Sequence, residues 1–194
     1  MNYFKNLKKK INDKTLTICI IGVGYVGLGL LKEYSKKGYN IIGIDIKLNH
    51  LKKFKFSKNV FLTNNYKFIQ NVDAIIITLP TPLDKKLNPD RSIINRSIKE
   101  IQKYLKKRQL ISFESTTYPG STREIFVPIL KRFKLGEDFF LTYSPERVSP
   151  EVKVKNKSIK YGLTNTPKVV SGYSGNCKKI GKLLYSKIIN KIVL

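Results

Sequence analysis

The sequence predicts an α/β fold in which a parallel sheet is covered by helices on both faces. Apolar segments typical of buried strands alternate along the chain with segments of helical periodicity, and such alternation favours parallel strands joined by helices. The 194 residues, 41% of them hydrophobic, are enough for one domain of ordinary size with a real core. The first strand also runs directly into a glycine-rich turn and a helix.

The first half of the chain supplies four strands and two helices. A short amphipathic helix is predicted over 2–12, because apolar residues recur there at helical spacing among lysines. A second helix is predicted over 25–37, with Gly38 at its C-terminus. Strands are predicted at 15–21, 40–45, 60–63 and 72–80, the last ending at a proline.

The second half repeats the alternation after a loop at 81–90 that contains two proline turn signals. Isoleucine and leucine at every third or fourth position predict a helix over 92–105. Strands are predicted at 109–115, 139–146 and 168–172, helices at 122–133 and 175–189, and a lysine-rich loop at 150–166. We therefore expect a lead-in helix at 1–14, a nucleotide-binding domain at 15–175, and a last helix with the start of a linker at 176–194.

The net charge of +25 admits two interpretations. A basic surface attracts nucleic acid regardless of its sequence. Lysine outnumbers arginine 32 to 6, however, and the lysines are spread along the whole chain. Nucleic-acid binders usually enrich arginine. The excess of evenly spread lysine therefore favours a general compositional bias over nucleic-acid binding, and we expect no specific nucleic-acid partner.

The chain shows no targeting or membrane-spanning pattern. Its basic N-terminal stretch lacks the apolar core of a signal peptide, and no apolar run approaches the roughly 18 residues of a membrane span. The two cysteines, Cys19 and Cys177, have neither metal-ligand nor disulfide spacing. We expect a cytoplasmic protein without a membrane span or a metal.

The turn after the first strand carries the most specific chemistry. Gly22, Gly24 and Gly27 form G-x-G-x-x-G, which suits a tight turn, close approach of a pyrophosphate, and close helix packing. The second strand ends in Asp45, where a carboxylate can bind an adenosine ribose and repel a 2′-phosphate. These features predict NAD rather than NADP, although Lys47 softens that preference. The alternative is a glycine-rich packing turn beside a surface aspartate.

Four further stretches resemble a known family. They are GVGYVGLGL, the loop LPTPL (79–83), the strand end ESTTYPGST (114–122), and YSPERVSPE (143–151) followed by PKVVSG (167–172). In this order they closely resemble the N-terminal NAD-binding domain of the UDP-glucose/GDP-mannose dehydrogenase family, and within it the UDP-N-acetylhexosamine 6-dehydrogenase branch. The resemblance implies a Rossmann-type doubly wound sheet.

The resemblance also implies an activity. Members of the family oxidise the C6 alcohol of a nucleotide sugar twice with NAD, giving a uronic acid for surface polysaccharides. They use a cysteine thiol that traps the intermediate aldehyde. The implied substrate for this branch is a UDP-N-acetylhexosamine.

The family's site residues can be matched to positions of this chain. The resemblance implies that the cofactor contacts Gly22, Gly24, Tyr25, Val26, Gly27, Asp45 and Thr81. It implies that Thr116 orients water near the reacting carbon and that Glu146 acts in the acid/base and hydrolysis steps. Arg147 is a weaker candidate for a substrate phosphate or carboxylate. From the residues alone, Thr116 could be only a turn residue and Glu146 only a cap, and the sole histidine, His50, is expected to be a solvated surface residue.

The sequence departs from the family pattern in several places. The segment with the nucleophilic cysteine does not occur in it, and neither Cys19 nor Cys177 matches that position. Gly29 stands where the family commonly has proline. The chain therefore resembles a truncated member of the family, which is a fragment, a separately encoded half or a decayed copy. We expect it to be inactive alone, and a separately encoded half would need a partner chain that supplies the C-terminal half. The alternative is a non-catalytic NAD-binding partner or a vestigial module.

Overall fold

The computed structural model describes residues 2–84, 86–87, 89–147, 153–154, 157–158 and 163–194. The helices are α1 (Tyr3–Asn12), α2 (Tyr25–Lys36), α3 (Ser92–Tyr104), α4 (Ser121–Ile129) and α5 (Gly175–Tyr185). The strands of the first half are β1 (Thr17–Ile21), β2 (Asn40–Ile44), β3 (Val60–Thr63) and β4 (Ala74–Ile77). Those of the second half are β5 (Leu110–Phe113), β6 (Phe140–Tyr143), β7 (Lys153–Val154), β8 (Lys157–Ser158), β9 (Lys168–Val169), β10 (Ser171–Gly172) and β11 (Ile192–Val193).

Among the described residues, the main sheet has seven strands in the order β10-β6-β5-β4-β1-β2-β3. The pairs from β3 to β6 are all parallel, with Ile18 of β1 opposite Ile41 on one side and Ala74 on the other. This is the strand order of a doubly wound nucleotide-binding fold, so the predicted fold class is confirmed. No helix among the described residues is long and apolar enough to cross a bilayer.

Helices cover both faces of the sheet because the strand side chains alternate between two cores. In β1, Ile18 and Ile20 face a core with α1, α2 and α5, whereas Cys19 and Ile21 face a core with α3 and α4. Every residue of β4 and β5 is buried, which explains why these strands read as continuous apolar runs.

The structure differs from the prediction at the last predicted strand of the sheet. The single strand expected at 168–172 divides at Val170, whose N–H donates to the carbonyl of Val193 (2.8 Å). β9 therefore pairs with β11, while β10 pairs antiparallel with the edge strand β6. Within the predicted loop at 150–166, the described residues include the short strands β7 and β8, which pair antiparallel, and the other nine of its 17 residues lie outside the described ones together with any structure they have.

Several elements are shorter than predicted. β4, β5 and β6 end before the polar residues at their carboxyl ends, which leave the sheet and line a cleft. α4 ends at Ile129 instead of 133, one residue after Pro128, which has no N–H to donate within the helix. α5 ends at Tyr185 instead of 189, in a turn that keeps Ile188 and Ile189 buried.

Candidate functional site

A cleft of about 650 Å³ opens at the carboxyl edge of the sheet, within the usual range for small-molecule sites. It lies where the chain, having built β1 to β3 in one direction, crosses to β4 on the other side, the position at which open α/β sheets bind ligands. The predicted site residues that line it are Gly22, Gly24, Tyr25, Val26, Asp45, Thr81, Thr116 and Glu146. Gly27 lies beneath the turn, and the exposed Arg147 lies outside the cleft lining.

The glycine-rich turn is so tightly packed that two of its positions exclude any side chain. Gly22 has φ +91°, and a Cβ there would lie 2.9 Å from the carbonyl oxygen of Thr78. A Cβ on Gly27 would lie 2.1 Å from the carbonyl oxygen of Gly22, closer than any allowed contact. The hydroxyl of Thr78 donates to that same carbonyl (2.7 Å) and so fixes the turn against β4.

Gly24 has a different environment. A Cβ placed there meets no atom within 4 Å, so the absence of a side chain leaves open space above the backbone rather than relieving a clash. Gly24 is the N-cap of α2, and no side chain among the described residues caps this helix N-terminus. An uncapped helix N-terminus with an open backbone is an anion-binding arrangement, and its geometry fits a pyrophosphate.

Asp45 follows β2 and faces the same turn. Its Oδ2 accepts from the N–H of Val23 (2.8 Å), and its Oδ1 accepts from the N–H of Lys47 (2.9 Å). These bonds fix the carboxylate while leaving acceptor capacity on both oxygens, since a carboxylate has about four lone-pair sites. The arrangement fits two ribose hydroxyls.

The sequence suggested that His50 is only a solvated surface residue, but the structure gives its ring a contact with the glycine-rich turn. Its ring is exposed, but its Nε2 lies 3.0 Å from the carbonyl oxygen of Val23, and it lines the cleft beside Asp45. Sequence offered no signal for this contact, because the two residues are 27 positions apart and belong to no shared motif.

The loops after β4, β5 and β6 line one wall of the cleft, which we call the far wall, and the turn Gly22–Gly27 with Asp45 lines the near wall. The loops after β4 and β5 are tied together by a hydrogen bond. The hydroxyl of Thr81 donates to the carbonyl of Thr116 (3.0 Å). Outside the cleft lining, Arg91 donates to the hydroxyl of Tyr118 (2.7 Å), which in turn donates to Glu124. Two stretches that belong to separate motifs in the sequence therefore form one surface.

Glu146 follows β6 and completes this wall. Its Oε1 accepts from the N–H of Arg147 (2.8 Å), and its Oε2 lies 3.4 Å from the ammonium of Lys168. Lys168 lies in the stretch PKVVSG, but nothing in the sequence distinguishes it from the other lysines, of which the chain has 32 in all.

Glu114 lies behind Glu146 and is fully buried. Its Oε2 is 2.9 Å from the same Lys168 ammonium, and its Oε1 accepts from the hydroxyl of Tyr185 (2.5 Å). Burial raises the pKa of Glu114, and the neighbouring Lys168 and Tyr185 offset part of that rise. A charged residue directly after an apolar strand was the signal that could have found it.

The thiols of the chain lie away from the cleft. Cys19 is in β1 and Cys177 in α5, and both are fully buried. Burial raises the pKa of the Cys19 thiol well above its usual range, and the Sγ of Cys177 accepts from the N–H of Leu141 (3.4 Å). Within the described ranges, no group of three or more histidine, cysteine or acidic side chains is arranged to hold a metal.

Residues 47–189 match the model of the UDP-glucose/GDP-mannose dehydrogenase family, NAD binding domain. The match covers most of the chain, including the loops of the far wall and Lys168. The cofactor of this domain family is NAD.

Curated relatives and a solved structure agree with that match. The chain is 32% identical over 194 aligned positions to the UDP-N-acetyl-D-glucosamine 6-dehydrogenase of Pseudomonas aeruginosa, covering 91% of this chain and 44% of that protein. It is 28% identical to the UDP-N-acetyl-D-mannosamine dehydrogenase of Methanocaldococcus jannaschii, covering 89% of this chain and 42% of that protein. The NDP-N-acetyl-D-galactosaminuronic acid dehydrogenase of Methanosarcina mazei Go1 superposes with a TM-score of 0.79 at 25% identity, covering 100% of this chain and 46% of that one. The chain thus spans less than half the length of these proteins.

Proposed function

This chain belongs to the UDP-glucose/GDP-mannose dehydrogenase family, and we propose that it is the NAD-binding half of a nucleotide-sugar 6-dehydrogenase. One observation carries the proposal: the open backbone of Gly24 and the fixed carboxylate of Asp45 share a cleft with Glu146. The substrate class we propose is a UDP-N-acetylhexosamine, which is what the names of the relatives specify.

The cofactor is held at the near wall of the cleft. Gly24, Tyr25 and Val26 present the N-terminus of α2 to the pyrophosphate, and Gly22 and Gly27 keep the turn close to the sheet. Asp45 would accept from the ribose hydroxyls, and Thr81, which lines the cleft on the far wall, would be a further contact of the cofactor. When bound, NAD supplies the hydride acceptor for oxidation of the sugar alcohol.

The far wall carries the groups that act on the substrate. Thr116 orients water near the reacting carbon, and Glu146 serves as acid and base there. The ammonium of Lys168 and the N–H of Arg147 hold this carboxylate in the lining of the cleft, within reach of a bound substrate. Arg147 stays a weaker candidate for a substrate phosphate or carboxylate, because its exposed side chain lies outside the cleft lining.

The residues of this chain bind the cofactor without completing the oxidation. Neither Cys19 nor Cys177 lines the cleft, so no thiol of this chain is placed to trap an aldehyde. We propose that a partner chain in the cytoplasm supplies the C-terminal half, which joins this chain beyond the domain at 15–175. The buried thiols equally favour a second function, that of a non-catalytic NAD-binding partner.

Calorimetric titration and an NADH assay test the proposal together. We expect NAD to bind the purified chain, and a UDP-N-acetylhexosamine to give no NADH absorbance. Adding the chain that co-purifies with it from the native source should restore NADH formation. A stable complex that never forms NADH indicates the non-catalytic partner instead, and absence of NAD binding contradicts both.

A pair of variants tests the two walls separately. Asp45→Ala should weaken NAD binding at least about tenfold, because a charge-assisted hydrogen bond contributes roughly 1.5–3 kcal/mol. Glu146→Ala should leave NAD affinity nearly intact. The reverse pattern in the same titration would show that the two walls have been assigned to the wrong ligands.

A further inference from the structure

Lys168 is an unusual lysine in this protein because it is almost completely buried. Its side chain is 4% exposed, in a chain whose other lysines are mostly at the surface. It begins β9, and its backbone N–H donates to the carbonyl of Lys191 (3.0 Å), so its main chain is fixed. A buried ammonium is costly to desolvate and persists only where anions surround it.

Two carboxylates meet at its Nζ. Glu114, whose side chain is fully buried, lies 2.9 Å away, and Glu146, with 14% of its side chain exposed, lies 3.4 Å away. The three residues come from the end of β5, the end of β6 and from β9. Both carboxylates line the cleft, so the lysine stands directly behind its wall.

The other carboxylate oxygen of Glu114, which does not face Lys168, is also held by a hydrogen bond. Its second oxygen accepts from the hydroxyl of Tyr185, which also hydrogen-bonds the hydroxyl of Ser112 (2.7 Å). The Lys168 ammonium lies 5.2 Å from the centre of the Tyr185 ring. Tyr185 is the last residue of α5, so the cluster joins the cleft to a helix of the core.

We propose that Lys168 is a positioning residue for Glu146: its ammonium fixes the Glu146 carboxylate in the wall of the cleft and couples it to the buried Glu114. The proposal rests on the acid and base role proposed above for Glu146. Lys168 itself stays behind the wall and touches neither substrate nor cofactor.

The groups facing Glu114 make the coupling measurable. Lys168 lowers the pKa of Glu114, as does the Tyr185 hydroxyl, whereas Glu146 raises it. The buried Tyr34 also interacts with Glu114 electrostatically. Removing Lys168 should therefore raise the pKa of Glu114 further, and neutralising Glu146 should lower it.

Carbon-13 NMR of the full chain tests the proposal with Lys168→Met, Lys168→Arg and Glu146→Gln, and with Lys36→Met as a surface control. Relaxation of the Glu146 side-chain methylenes reports its order, and the carboxyl carbon of Glu114 reports its titration. We expect the Glu146 order parameter to fall toward that of an exposed side chain in Lys168→Met and to return in Lys168→Arg. Lys36→Met should change neither signal.

The outcomes separate this proposal from the function on which it rests. Unchanged Glu146 order in Lys168→Met overturns the positioning role, even where NAD still binds. If Lys168→Met does not fold, Glu146→Gln decides: a lowered pKa of Glu114 supports the coupling, and an unchanged pKa overturns it. Loss of NAD binding by the wild type defeats the proposed function while leaving the Glu146 measurements valid.

Discussion

The two walls of the cleft are built in opposite ways. The near wall is a turn of six residues, Gly22 to Gly27, in which backbone atoms lie so close that Gly22 and Gly27 exclude any side chain. The far wall carries charged side chains, and Lys168 behind it joins Glu114 and Glu146 across 54 and 22 positions of sequence. One wall depends on missing side chains and the other on long, paired ones.

This difference explains why the near wall can be predicted from the sequence and the far wall cannot. Local backbone constraints leave a fixed spacing of glycines, which a single sequence displays directly. A buried ion pair between distant elements leaves no spacing at all, because the fold alone brings the partners together. The same difference predicts that mutations in the two walls change stability and NAD binding in different ways.

The largest effect is expected at the far wall. Lys168→Met should lower the free energy of unfolding by about 3–5 kcal/mol, because it leaves a buried carboxylate without its cation. Lys36→Met, which removes the lysine of an exposed pair with Glu33, should cost less than about 1 kcal/mol. Urea denaturation of both variants measures the difference, and equal losses would contradict the burial argument.

Within the near wall, two glycines should separate folding from binding. Gly27→Ala should destabilise the protein by about 1–3 kcal/mol, because its Cβ overlaps the Gly22 carbonyl. Gly24→Ala should leave stability within about 1 kcal/mol but weaken NAD binding, because its methyl group enters open space in the cleft. Thermal unfolding with and without NAD distinguishes them; a similar loss of stability in both would show that the turn acts as one unit.

Glu114 should make stability depend on pH. Its folded pKa lies above its ordinary value of 4.5, so the folded state binds the proton more tightly than the unfolded state. The stability that this supplies is complete below pH 4.5 and is lost as pH rises through the folded pKa. The wild type should thus lose stability relative to Glu114→Gln above pH 4.5, as urea titrations across that range would measure. Parallel pH profiles would mean that Glu114 titrates normally.

The smallest effect is expected at Gly29, within α2. A Cβ there meets only the side chain of Leu163, at an ordinary contact distance of 3.8 Å. Gly29→Ala should therefore stabilise the protein by about 0.5–1 kcal/mol through helix propensity alone. Thermal unfolding would reveal it, and a destabilised variant would point to a constraint on α2 absent from these contacts.

Sequence predicted the parallel part of the fold because buried strands and amphipathic helices have distinct periods. It failed at 168–172, where one segment hydrogen-bonds to two different strands and only the tertiary structure decides which. The positions that line the near wall followed from glycine spacing and from Asp45. Lys168 and His50 could not be found, since their significance comes from contacts with residues far away in the chain.

Competitive calorimetry of NAD against NADP on the purified chain tests the central claim most directly. The Asp45 carboxylate, fixed by Val23 and Lys47, should repel a 2′-phosphate, so NAD should bind at least about tenfold more tightly than NADP. Asp45→Asn should narrow that ratio. Equal affinities for NAD and NADP, or no binding of either, would contradict the account of this cleft as an NAD site.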